Sequence, residues 1–248
     1  MNDSAHICVS RHGETDWNIA GILQGWTDTL LNDLGRRQAH ELAAAVACCR
    51  LSRVYSSPLR RSLETAEIIS RLLRLPPPLC HEGLKERNFG VIQGVPKAEL
   101  NPAFLEQIVK RNPACFFDQG ETMEGFADRV LAAIAAIARD HAGERVLVIT
   151  HGWVMDVITR HILNLPPSAI LNMKRKNGEC LSLAATEDSI RLHPADASLP
   201  GFGACLCAEK QQRILCGQAA VAAATILPLA DAPALLQVAS HPGEPRSE

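Results

Sequence analysis

Apolar positions along the chain alternate between two rhythms. Short continuous runs occur at His6 to Ser10, Val54 to Ser57 and Arg145 to Thr150, the last with an unbroken Val-Leu-Val-Ile centre. Such runs fit strands buried on both faces. Between them, apolar residues recur three or four apart, the spacing that gathers them on one face of a helix. Leu34, Leu42 and Val46 follow Asn32, a good N-cap residue. Leu59, Leu63, Ala66 and Ile69 follow Pro58, which suits a first helical turn, and Pro76-Pro77-Pro78 closes that unit. Phe126, Val130, Ile134 and Ile137 mark another helix, with Gly143 as its expected C-cap. Trp153 to Leu163 reads as the helix after the third strand, stopped by Pro166-Pro167. Cys180 to Ala184 and Ile190 to His193 read as the last strands.

Strands alternating with helices predict an α/β fold, a three-layer sandwich whose central, mostly parallel sheet is flanked by helices. In such open sheets ligands bind beyond the carboxyl ends of the strands. From about Ala195 the character changes to small residues, scattered prolines and a polar end from Ser240 to Glu248. The predicted organisation is one folded domain over residues 1–194 and a C-terminal tail over 195–248. An alanine-rich helix near Ala219 to Ala224 is compatible with that tail, and no function attaches to it.

Composition narrows the class. Of 248 residues, 47% are hydrophobic and 21% charged, an ordinary globular balance. A formal charge of -2 gives no reason to expect nucleic acid or an anionic membrane as partner, so any attraction for anions must be local. Nine cysteines form an odd set without regular spacing, which points to reduced thiols in a cytoplasm. The nearest approach to a metal pattern, Cys205-Leu-Cys207 with Cys216, is poorly spaced for zinc, so neither a metal nor another cofactor is expected. The start MNDSAHICVS lacks a basic segment and an apolar signal core. The apolar stretch Ile214 to Ala230 is mostly alanine and is broken by Gln218 and Pro228, a poor membrane span. A cytoplasmic, soluble chain follows as the expectation.

Three strand ends carry the candidate chemistry. The first runs into Arg11-His12-Gly13-Glu14-Thr15, the second into Ser56-Ser57-Pro58-Leu59-Arg60, and the third into Thr150-His151-Gly152. Each alone has a plain structural reading: Arg60 could be a surface residue beside Arg61, and His151-Gly152 a simple turn. Their common placement on one rim of one sheet suggests more. Two arginines and two imidazoles around one point suit a phosphate group, because guanidinium forks stay charged and match phosphate oxygens. Backbone N–H groups at the following helix starts would add donors. A neutral imidazole can attack phosphorus and split a slow hydrolysis into two easier steps. A second imidazole, protonated, would steady the transition-state charge.

The segments RHGETDWN, SSPLRRSLETA, LKERNFG and VLVITHG resemble, in order and spacing, the histidine phosphatase superfamily, also called the phosphoglycerate mutase-like family. The resemblance spans about Ala5 to His193 and makes residues 1–194 the catalytic domain. It implies that His12 takes the phosphoryl group, that Arg11, Arg60 and His151 hold it, and that Glu86 gives the leaving oxygen its proton. Glu82 is the nearest rival for the acid, and Lys85 or Arg87 could reduce Glu86 to an ion-pair partner. By the same matching Asn18 and Gln24 line the phosphate pocket, with the alternatives that Asn18 only caps a turn and Gln24 is exposed. Glu14 and Thr15 would support the loop. Two positions depart from the family pattern: Gln93 in Gly90-Val91-Ile92-Gln93-Gly94, where a glutamate is usual, and Asp156, where a basic or neutral residue is commoner.

The reaction class implied is a metal-independent phosphomonoester hydrolase of the histidine acid phosphatase type. It would act on small phosphorylated metabolites, with no nucleic-acid or membrane partner and with a homodimer allowed. Phosphoglycerate mutase-type transfer is the alternative. The stretch from Glu86 to His151 is short for a mutase, and Gln24-Gly25-Trp26 looks like the phosphatases. A non-catalytic phosphate-binding or scaffolding protein is the third reading. Pro102 to Phe117 is the expected lid, with Phe104, Phe116 and Phe117 either facing substrate or packing the lid onto the sheet.

Overall fold

The computed structural model describes residues 4–165, 169, 171 and 175–192. Strand β1 (Ala5–Arg11) leads through the short helix α1 (Asp16–Ile19) to α2 (Asp33–Val46), then to β2 (Arg53–Ser56), α3 (Arg60–Leu72) and the two-residue β3 (Leu79–Cys80). After an irregular stretch come α4 (Pro102–Val109), α5 (Met123–Asp140), β4 (Arg145–Thr150), α6 (Gly152–Ile162), β5 (Cys180–Ala185) and β6 (Ile190–Leu192). The six strands form one sheet in the order β3-β2-β4-β1-β5-β6. β1, β2, β3 and β4 run parallel, whereas β5 is antiparallel to β1 and β6 to β5.

Strand alternation splits the core into two layers. Ile7, Val9, Val146, Val148, Leu181 and Leu183 pack against α5 and α6 through Phe126, Val130, Ile134, Val154 and Ile158. The opposite face carries Cys8, Val54, Leu147, Ile149 and Cys180, covered by α2 and α3 through Leu42, Val46, Ala66 and Ile69. The sheet thus lies between two helical layers, the three-layer α/β architecture the sequence predicts. The centres of the two inner strands, Ile7 to Val9 of β1 and Val146 to Ile149 of β4, are apolar and buried because neither face of the sheet meets water there.

Helix ends differ in detail from the sequence reading. Asn32 caps α2 by accepting from the Gly35 amide, as its residue type suggests. α5 stops at Asp140 with His141 as its C-cap, so Gly143 (φ 75°) lies in the turn beyond. Leu59 is the N-cap of α3, so Pro58 sits before the helix rather than in its first turn. That shift matters for the site. Pro166-Pro167 and the tail from 195 onward lie outside the described residues.

Candidate active site

The carboxyl ends of β2, β4 and β1 are adjacent in the sheet, and their register brings the three motifs to one rim. Arg11 pairs with Thr150, and Ser56 with Ile149. Beyond the strands the ladder continues: the His12 amide donates to the Thr150 carbonyl (2.9 Å) and the Ser57 amide to that of Ile149 (3.0 Å). His12 and His151 therefore lie side by side, buried, with ring centroids 5.1 Å apart. The loop after His12 is clamped where its backbone crosses the start of α2. A Cβ on Gly13 would stand 2.4 Å from the Gly35 carbonyl oxygen, and one on Gly35 2.1 Å from that of Glu14.

His12 Nδ1 lies 2.6 Å from the Gly13 carbonyl oxygen, an acceptor only, so Nδ1 carries the proton. Nε2 then holds the lone pair and accepts from Arg61 Nε at 3.2 Å. His151 Nε2 is 2.8 Å from Ser57 Oγ. Its buried Nδ1, like Arg11 Nε, has no hydrogen-bond partner among the described residues. Buried donors and acceptors are rarely left without a partner, so both atoms are available to a polar group entering the pocket. Burial, then Arg61 and Arg11, push the His12 pKa well below its ordinary 6.5. Burial, then Arg61, His12 and Arg11, do the same to His151. Both rings are neutral near pH 7 in the protein's own field, so the expectation of a protonated second imidazole does not hold for the protein alone. The incoming charge of a phosphate dianion would have to supply it.

The arginine from the second strand end is Arg61, not Arg60. Arg60 is the first residue of α3, its side chain is exposed, and its amide donates to Asp28 Oδ1 (2.7 Å). Arg61 is buried and donates to the carbonyls of Gly25 (2.7 Å) and Thr27 (2.9 Å) as well as to His12. Helix phase is the reason: the inward stripe of α3 contains Arg61, Thr65 and Ile69, four residues apart, whereas Arg60 falls in line with exposed Glu67 and Arg71. The sequence held this signal, since extending the Thr65–Ile69 stripe back by one turn reaches Arg61. Burial pushes both Arg61 and Arg11 down to about 10, and both remain charged at pH 7. Arg11 Nη1 donates to the Arg175 carbonyl (2.6 Å).

Glu86 is buried, which raises its pKa; Arg111 opposes that most, followed by the Arg87 amide, Arg61 and Arg11. Its Oε1 accepts from the amides of Arg87 (3.0 Å) and Trp153 (3.3 Å), at the start of α6. The two alternatives go elsewhere. Glu82 is exposed and pairs with Lys85 at 2.9 Å, while Arg87 turns away to the carbonyls of Cys115 and Glu121.

Asn18 and Gln24 are less direct. Thr15 and Asn18 form a capping box on α1, with Thr15 Oγ1 donating to Asn18 Oδ1 (3.2 Å) and accepting the Asn18 amide (3.2 Å). Asn18 Oδ1 also lies 3.4 Å from Asn177 Nδ2, which donates to the His12 carbonyl at 2.9 Å. Gln24 is buried rather than exposed, and its Oε1 accepts from Thr29 Oγ1 (2.6 Å). Glu14 supports the loop: its Oε1 accepts from Asn32 Nδ2 (3.1 Å) and its backbone N–H donates to Gln38 Oε1 (2.8 Å). Gln93 Oε1 accepts the Trp26 amide at 2.6 Å, so it fastens the Gly25-Trp26 loop to the wall of the site.

Two arginines, Arg111 and Arg175, were not anticipated, and both meet Asp156, one of the two departures from the family pattern. Asp156 is buried: it accepts from fully enclosed Arg175 Nε (3.0 Å) and forms an ion pair with Arg111 (3.1 Å), whose angle does not make it a hydrogen bond. Of the lid aromatics, Phe104 and Phe117 pack inward with Phe89 and Trp153, and Phe116 is 61% exposed. Among the described residues no three His, Cys, Asp or Glu side chains gather in a way that could hold a metal ion. None of the helices among them is long and apolar enough to cross a membrane. The Cys205, Cys207 and Cys216 set lies outside them.

Residues 7–195 match the histidine phosphatase superfamily (branch 1). The chain belongs to this superfamily. It is 33% identical over 199 residues to an uncharacterized phosphatase, PhoE, of Bacillus subtilis strain 168, covering 79% of this chain and 97% of the relative. It is 32% identical over 174 residues to a probable phosphoglycerate mutase, GpmB, of Proteus mirabilis, covering 69% and 80%. Among solved structures, Bacillus stearothermophilus YhfR superposes with a TM-score of 0.69 at 27% identity, over 76% of this chain and 95% of that one. Relatives of this superfamily member thus carry both phosphatase and mutase names.

Proposed function

We propose that the chain is a metal-independent phosphomonoester hydrolase of the histidine acid type, acting in the cytoplasm on small phosphorylated metabolites through a phosphohistidine at His12. The observation that carries this reading is the fixed tautomer of His12. Its Nδ1 is tied to the Gly13 carbonyl, so the Nε2 lone pair faces a pocket lined by Arg61, Arg11 and His151.

In the first step that lone pair forms the N–P bond as the P–O bond to the leaving group breaks, and the leaving oxygen takes the proton of Glu86. Burial favours the protonated acid form of Glu86. Arg61 shifts from Nε2 to the phosphoryl oxygens, joined by Arg11 and by the uncommitted Nδ1 of His151, so that positive charge and donors meet the equatorial oxygens. Asn18 and Gln24 act from the same loop, Asn18 by steadying the His12 backbone through Asn177. In the second step the Glu86 carboxylate takes a proton from water, the water oxygen bonds to phosphorus, and the N–P bond breaks to return neutral His12 and inorganic phosphate.

The partner in this reading is a small phosphorylated substrate, with neither nucleic acid nor a membrane involved and with a homodimer compatible. The six cysteines among the described residues are free thiols, in keeping with a reducing compartment. Hydrolysis of phenyl phosphate in the presence of a chelator tests the reading. Turnover that survives chelation and disappears in His12→Ala, with acid-labile phosphate trapped on the wild-type protein, is the expected result. Absence of turnover with every phosphate ester would point to a phosphate-binding protein instead. The mutase-named relative supports phosphoryl transfer between phosphoglycerates as the second reading. Interconversion of isomers without release of phosphate would favour it.

A further inference from the structure

The pocket contains a third cation that the two-step chemistry above does not use. Arg111 lies just after α4, in the segment expected to cover the site, and holds a left-handed backbone (φ 57°) that a non-glycine residue adopts at a cost. Two contacts fix its side chain. The ion pair to Asp156 anchors Nε, and the guanidinium stacks on the Trp153 ring with its carbon 4.8 Å from the centroid. Arg111 Nη2 lies 3.2 Å, and Arg11 Nε 3.8 Å, from the point a Cβ on Gly152 would occupy. Both cations therefore flank the first turn of α6, the turn whose Trp153 amide holds the Glu86 carboxyl. Asp156 is itself secured from below by Arg175, which also pairs with Glu179 (2.8 Å).

We propose that Arg111 is a positioning residue for the acid–base step: anchored by Asp156 and stacked on Trp153, its cation lies beside the turn of α6 that holds the Glu86 carboxyl and stabilises the carboxylate that the second half-reaction needs. The inference rests on the assignment of Glu86 above. One carboxyl must start as an acid and serve next as a base, so a site that only buried it would favour the first step at the expense of the second. A fixed cation redresses the balance. Arg111 is the largest single charge acting on Glu86 in that direction, ahead of Arg61 from α3 and Arg11 from β1. Other charges around Glu86 are committed elsewhere. Arg129 of α5 donates to the Glu86 backbone carbonyl and pairs with Glu121, Arg87 points toward Cys115 and Glu121, and His12 and His151 are neutral. The same arrangement gives Asp156 a purpose, because without it nothing among the described residues pairs with Arg111.

The test is the pH profile of kcat/KM for phenyl phosphate, whose poor leaving group needs the proton of Glu86. The profile falls where Glu86 loses that proton. Arg111→Met removes the opposing charge, so the alkaline limb moves up by about half to one pH unit, while Arg111→Lys keeps the wild-type limb. An Arg111→Met limb that stays in place, or an Arg111→Lys limb that moves with it, overturns the proposal. Arg111→Gln serves in place of the methionine variant if that one fails to fold. Glu86→Gln separates the two claims. If it keeps the wild-type limb, the acid assignment fails; if it abolishes the limb while Arg111→Met leaves it unmoved, only the role of Arg111 falls.

Discussion

Replacing Arg61 and its neighbour Arg60 separately by alanine gives the sharpest test of the site. Arg61→Ala removes the donor aimed at His12 Nε2 and the donors to the Gly25 and Thr27 carbonyls. Loss of one preorganised donor to a transition-state oxyanion typically costs about 10²–10³ in turnover. For stability, each buried carbonyl left without a partner costs roughly 1–3 kcal/mol. Against this, burial already penalises the charged guanidinium, which is pushed down to about 10, and that penalty disappears with the side chain. A net loss of about 2 kcal/mol, set against a domain stability of roughly 5–15 kcal/mol, leaves well over about 90% of the molecules folded. Unfolding therefore cannot account for a hundredfold loss of rate. Arg60→Ala touches an exposed side chain and should change both quantities little, within about 0.5 kcal/mol in stability. The assay is steady-state kcat/KM on an aryl phosphate, with thermal melts on the same preparations. Parity between the two variants, or Arg61→Ala activity within tenfold of wild type, would refute the placement of the pocket arginine.

Three further outcomes follow from the geometry. Gly35→Ala should destabilise by about 2 kcal/mol or more and lower activity, since its Cβ would meet the Glu14 backbone at 2.1 Å and push α2 off the His12 loop; a thermal melt and an activity assay read both effects, and a wild-type melting point would contradict the close approach. His12 and His151 have folded pKa values depressed below 6.5, so the folded protein binds fewer protons than the unfolded chain as the medium is acidified. Their contribution is complete above pH 6.5 and is lost as pH falls from there toward the depressed values, so Tm should decline below about pH 6.5, and the decline should be shallower in His12→Ala; an identical slope in that variant counts against the buried, neutral ring. Vanadate should inhibit competitively at or below millimolar concentration, because its five-coordinate form presents equatorial oxygens to Arg11, Arg61 and His151, and a pattern insensitive to substrate concentration would place it elsewhere.

Local pattern along the chain determined a good deal. The apolar runs ending at Ser10, Ser57 and Thr150 specify strands buried on both faces, and alternation with helical stripes requires a sheet covered by helices, so His12 and His151 fall on one rim whatever the loops do. Glu86, the acid of the proposed mechanism, stands out in the sequence through its motif. What only the tertiary structure decided is which neighbouring side chain points inward and which distant ones meet. Arg60 and Arg61 are equivalent in composition, and a 100° step around α3, set by where the helix begins after Pro58, sends one to solvent and the other to His12. Arg111 and Asp156 carry no shared local signal, because their pairing spans the segment after α4 and a helix beyond β4, and such contacts exist only once the sheet has brought both to its carboxyl edge. The antiparallel β5 likewise depends on a free edge beside β1, which no short window of sequence encodes. Periodicity fixes which face of an element is buried; the depth and company of each buried side chain are set by packing between elements far apart in the chain.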